Sequence, residues 1–178
     1  MTTQTTPSKI ALKYGIILGI IFIIYGTILQ LLDLDMQTAN YLGWLNFVVL
    51  LIGIIMAIRE YKQETGGFMT FGQGLGLGTL LSFVSGAISA LFTYFYIKFI
   101  DGSLMEKIKE AQLIELEKQD LSDEQMEQTM EMMDKFTGAG VIAISSVFMC
   151  LLLGFIFSLI VSAIMKNEPT ERNILDVE

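Results

Sequence analysis

The chain of 178 residues is 53% hydrophobic and only 17% charged, with a mean hydropathy of +0.59. Soluble domains carry about 25% charged residues, and a core of this length cannot hide so much apolar surface from water, so lipid must solvate much of it. Eleven basic and nineteen acidic residues give a net charge of -8 with no histidine, which argues against a nucleic-acid partner and removes His-ligated metal sites and His-based catalytic pairs.

In chain order, residues 1–10 read as a polar, flexible N-terminal tail. A hydrocarbon core about 30 Å thick needs roughly 20 apolar residues in helix. Four stretches meet or approach that length: Ala11 to Leu32, Tyr41 to Ile58, Phe71 to Ile100 and Thr137 to Met165, each flanked by charge. The first lacks an A-x-A cleavage site and exceeds a signal-peptide core, so it reads as a retained helix. Residues 166–178 form a second flexible tail. The expected fold class is all-α: a polytopic integral membrane protein with one four-helix transmembrane domain over residues 11–165, carrying an extramembrane insert at 101–135.

Lysine and arginine in short loops set orientation. The loop at 33–40 has neither, whereas Lys9, Lys13, Arg59, Lys62, Lys166 and Arg172 gather on the opposite side. Both termini are therefore predicted cytoplasmic, with the long acidic insert outside despite its four lysines. Tyr41, Trp44, Tyr61, Tyr94 and Tyr96 read as interfacial anchors.

Functional ion or proton pathways usually show as buried Asp, Glu, Lys or Arg, and the four apolar cores contain none. Their polar groups are Thr27, Gln30, Asn46, Gln73, Thr79, Thr93 and the serines. Asn46 is the most interior and is expected to bond helix to helix.

The third segment places Gly74, Gly78, Ser82, Gly86 and Ala90 every four residues, and the fourth places Ser146, Cys150, Gly154, Ser158 and Ser162 likewise. Small side chains let helix backbones approach closely in lipid. These stripes predict tight packing of the two helices on each other, with a homodimer contact as the alternative. Gly72 and Gly76 add an overlapping pair, and Gly15 and Gly19 another in the first segment. The glycines at 72–78 lack the Lys and Ser or Thr that complete a P-loop.

Between the third and fourth segments, Asp101 to Lys135 holds eleven carboxylates and four lysines, a net charge of -7. Capping boxes at Ser103 with Glu106 and at Ser122 with Gln125 predict a helical hairpin broken near 119–122, with Leu121 and Met126 as a hydrophobic staple. Leu104, Met105, Ile108 and Ala111 share one side of the first helix, and Met126, Met130 and Met133 one side of the second. The hairpin is either a solvated connector whose apolar stripes pack together or a docking surface for a basic partner. No EF-hand spacing is present, and Met126, Met130, Met132 and Met133 have no Cys or His beside them to favour Cu(I). No cofactor or metal is expected.

Arg59-Glu60-Tyr61-Lys62, then Gly66-Gly67-Phe68-Met69-Thr70-Phe71-Gly72-Gln73-Gly74, and Ile100-Asp101 after the third helix resemble the bacterial membrane family known as domain of unknown function 4199, over nearly the whole chain. The resemblance implies a four-helix inner-membrane protein of Gram-negative bacteria with no assigned activity, so it carries over no catalytic residue. The function expected is a non-enzymatic scaffold or accessory subunit that presents the hairpin. Besides the bilayer, its partner is expected to be a second copy or a membrane or periplasmic protein. The alternative is a small oligomeric transporter or channel.

Overall fold

The computed structural model describes residues 6–32, 34, 36–118, 122–136 and 138–167. Among these residues six helices follow in order: α1 (Pro7–Leu31), α2 (Met36–Glu64), α3 (Phe71–Phe99), α4 (Ser103–Glu117), α5 (Asp123–Phe136) and α6 (Ala139–Met165). Among the described residues the β-pairing is a single isolated bridge, Met69 with Asn167. Helices α1, α2, α3 and α6 are long and apolar enough to cross a membrane, so the chain is an all-α, multi-pass membrane protein.

The first helix begins earlier than its apolar run. Pro7 takes the first helical position, where its fixed φ and missing N–H suit a helix start. Residues 7–10 of the expected tail are therefore helical, and Ile10 is only 3% exposed. The second helix also outgrows its apolar stretch, extending from Met36 to Glu64.

Helix α3 lies at the centre, with α1 on one face and α6 on another, while α2 rests against α1, α6 and α3. Leu50, Ile54, Ile58, Leu77, Leu81 and Val161 meet in the core. Large apolar side chains also cover the outside: Leu91 is 60% exposed, Phe148 65% and Ile164 77%. In water such a surface would drive aggregation; in a bilayer it is the solvated face.

At one end of the bundle the chain is stitched shut. Gly66 and Gly67 adopt φ of 69° and 92°, left-handed values that favour glycine, and turn the chain out of α2. Met69 N–H then donates to the Asn167 carbonyl at 2.8 Å, and Asn167 N–H donates back to Met69 at 2.9 Å. Lys62 Nζ, in the last turn of α2, donates to the Met165 carbonyl at 2.9 Å, so the end of α6 finds partners in α2 and in the α2–α3 connection. At the same end Lys13 Nζ bonds both Glu60 oxygens at 2.8 and 3.0 Å, and the Tyr14 hydroxyl donates to Glu60 at 2.8 Å.

Two expectations change here. Tyr61 is no interfacial anchor; it is 3% exposed, within the core. Gln73 is a cap: its side chain accepts from Thr70 N–H at 2.9 Å while Thr70 Oγ1 accepts from Gln73 N–H at 3.3 Å, a reciprocal box that starts α3.

Candidate functional site

Between α3 and α6 the two small-residue stripes run in opposite directions and meet. A Cβ added to Gly74 would lie 2.5 Å from Ser162 Oγ, and one on Gly86 would lie 3.0 Å from Cys150 Cβ. A Cβ on Gly78 would overlap Ser158, and one on Gly154 would overlap Ser82. Each glycine thus receives a small side chain of the other helix, within one chain. Ala90 is buried, whereas Ser146 is exposed and donates to the Ala143 carbonyl at 2.8 Å.

The seam is polar in composition but largely satisfied locally. Ser82 Oγ donates to Gly78 O at 2.9 Å, and Ser158 Oγ donates to Gly154 O, each bonding the carbonyl four residues back in its own helix. Cys150 Sγ donates across the seam to Ser82 O at 3.3 Å. Ser162 Oγ and Thr79 Oγ1 are buried without a partner among the described residues. On another face of α3, a Cβ on Gly15 would sit 2.8 Å from Val84 Cβ, and one on Gly19 2.9 Å from Ile88 Cβ. Gly72 and Gly76 have nothing within 4 Å, so the overlapping pair makes no helix contact.

Past Gly86 the four spanning helices part around a cavity of about 940 Å³. Phe22, Leu50 and Leu153 line its apolar part, and Gln30, Asn46 and Ser89 supply polar walls. Ile108, Glu110 and Ile114 of α4 complete the lining. Along α3 it runs from Gly86 to Tyr96, about 15 Å at 1.5 Å per residue. Gly26 and Gly43 also line it, and a Cβ on either would meet nothing within 4 Å.

Its hydrogen-bonding groups fall into two sets. Thr27 Oγ1 donates to Ile23 O at 2.8 Å and Thr93 Oγ1 to Ser89 O at 3.0 Å, so these hydroxyls are engaged with their own helices. Gln30 differs: its Nε2 is buried with no hydrogen-bond partner among the described residues. Asn46, expected to join two helices, lines the cavity instead and makes no side-chain hydrogen bond with another described residue. The described lining includes no Lys or Arg, and Glu110 is its carboxylate. Among its lining residues Met149 and Ser146 of α6, Gly26 of α1, and Glu110 and Ile114 of α4 are exposed, so the cavity is not sealed from outside.

The hairpin starts differently from its sequence signature. Gly102, not Ser103, is the N-cap of α4, and the Asp101 carboxylate accepts from Ser103 N–H and Oγ, both at 2.8 Å. The box at α5 is present: Gln125 N–H donates to Ser122 Oγ at 3.4 Å, and Ser122 N–H to Gln125 Oε1 at 3.2 Å. Leu121 of the expected staple, and the side chains of Leu104, Ala111 and Met133, lie outside the described residues. Met130 and Met132 are 42% and 60% exposed, so α4 does not cover them. The apolar side of α4 turns elsewhere, with Ile108 and Ile114 on the cavity and Leu116 buried.

These features define a four-span helical membrane protein with a close-packed seam, a cavity among the spanning helices and α4, and an acidic helical segment between α3 and α6. The sequence model of the family described as protein of unknown function, DUF4199, matches residues 13–167, and the chain belongs to that family. No curated protein and no solved structure matches the chain.

Proposed function

We propose that the chain is a non-enzymatic scaffold or accessory subunit of the bacterial inner membrane, with both termini cytoplasmic, presenting its hairpin to a basic segment of a membrane or periplasmic protein. The observation that carries this reading is the surface of α5. Glu124, Gln128, Met130, Glu131 and Met132 are all exposed, which sets carboxylates that attract a cationic segment beside adaptable thioether side chains that would bury against it.

A photo-crosslinking residue placed at Gln128 in intact cells should yield a discrete protein adduct. Charge reversal by Glu124→Lys with Glu131→Lys should reduce that adduct by at least about fivefold, because rim charges govern encounter. An adduct indifferent to charge reversal, or crosslinks to lipid alone, would overturn the proposal. For orientation, a cysteine at Gln128 in a Cys150→Ala background should react with an impermeant thiol reagent in cells with a permeable outer membrane. Labelling only after lysis would place the hairpin in the cytoplasm.

The cavity favours a second reading, a small oligomeric transporter or channel. Solute movement or conductance in reconstituted vesicles that changes with Asn46→Leu would replace the scaffold by the transporter.

A further inference from the structure

We infer that the cavity between α1, α2, α3 and α6 is a binding site for an uncharged amphiphile drawn from the bilayer: one apolar chain and a head group bearing ester, carbonyl or hydroxyl oxygens. The proposal is independent of what the hairpin binds.

Size and shape come first. The volume, about 940 Å³, lies within the range of roughly 300–1,000 Å³ typical of small-molecule sites. Some glycines in these helices allow close packing, as at Gly19 against Ile88 and Gly53 against Leu18, whereas Gly72 and Gly76 stand open away from the cavity. Gly26 and Gly43 are open at the cavity itself. They line the space from two different helices with nothing within 4 Å of their missing side chains, so their effect is to keep it open.

Chemistry narrows the occupant. A buried amide N–H without an acceptor is unfavourable in an apolar surround, and Gln30 Nε2 has none among the described residues. Gln30 lines the cavity, and a rotation of its terminal amide toward the space would let a ligand oxygen satisfy it, while the Asn46 amide offers a further donor and acceptor. An anionic head, such as a fatty-acid carboxylate or a phosphate, would meet Glu110 with no Lys or Arg among the described lining residues to balance it. The aromatic and aliphatic side chains of Phe22, Phe47, Leu50 and Leu153 suit the chain. Gly26 of α1 and Met149 of α6, on helices long and apolar enough to span a membrane, are exposed on its walls, which suits entry from lipid.

The test uses the full-length protein in lipid nanodiscs with a diazirine-bearing monoacylglycerol as probe, and a diazirine fatty acid and a diazirine alkylamine as charged counterparts. Saturable labelling by the monoacylglycerol should map to cavity-lining peptides and be displaced by unlabelled monoacylglycerol. Gly26→Leu, whose Cβ meets nothing within 4 Å and whose side chain would occupy the space, and Gln30→Leu, which removes the donor, should each lower saturable labelling by at least about fivefold, for Gln30→Leu the scale of a lost hydrogen bond. Thermal unfolding accompanies each variant; if Gly26→Leu is destabilised, Gly43→Leu takes its place. Labelling that does not saturate, or that persists in the filled variant, overturns the proposal. So does preference for the fatty acid or alkylamine, or crosslinks between copies that trace the space to a second chain.

Discussion

Gly154→Leu and Gly78→Leu should each lower the unfolding midpoint of the purified protein in detergent by about 6–12 °C. Added bulk in a packed core costs about 1–3 kcal/mol or more, and a chain of this length loses about 2–4 °C per kcal/mol. Both substitutions fall at the upper end, because a Cβ at either position already overlaps a serine of the facing helix and a leucine must push the backbones apart. The exchange Gly154→Ser with Ser82→Gly tests the pairing itself. Gly154→Ser alone sets two hydroxymethyl groups in one space; adding Ser82→Gly empties the other side and should restore most of the midpoint. An unchanged midpoint in Gly154→Leu, or no recovery in the exchange, would refute the seam.

Within α1, one substitution should give opposite results seven residues apart. Gly19→Leu drives a side chain into Ile88, whose Cβ lies 2.9 Å from the position of a Cβ on Gly19, and should lower the midpoint by several degrees. Gly26→Leu enters open space and removes an interior helical glycine, which by itself costs about 0.5–1 kcal/mol relative to alanine. Its midpoint should stay level or rise. A matching fall in both variants would mean that the helices close around Gly26.

The four spans and the two stripes were legible because each is a local pattern: apolar length in one case, side-chain size at a period of four in the other. The cavity was not. Gly19 and Gly26 are the same residue in the same apolar helix, and only the course of the neighbouring helices decides which is packed and which open. The link of Lys13 and Tyr14 to Glu60 spans 46–47 positions, beyond any local pattern. Asn46 and Gln73 looked alike as polar groups near apolar cores; Gln73 is a cap and Asn46 lines the cavity. The Thr70-x-x-Gln73 spacing could have revealed the first, since it repeats the logic of Ser122 with Gln125. At α4, Asp101 competes with Glu106 for Ser103, and the carboxylate two residues away bonds it.

Helices α3 and α6 are joined by more than thirty residues of hairpin, too long a tether to fix how far one helix slides along the other. The alignment must be written on the helices themselves. Sliding α6 by one turn would set Gly78 against Gly154 and Ser82 against Cys150, leaving a void at one level and crowding at the next. The complementary order of glycine and larger small residues along the two helices therefore acts as a vernier: it selects one alignment among those a uniform run of glycines would leave nearly equal in energy. It also makes a one-turn ratchet of α6 past α3 an unfavourable route for any movement of this protein.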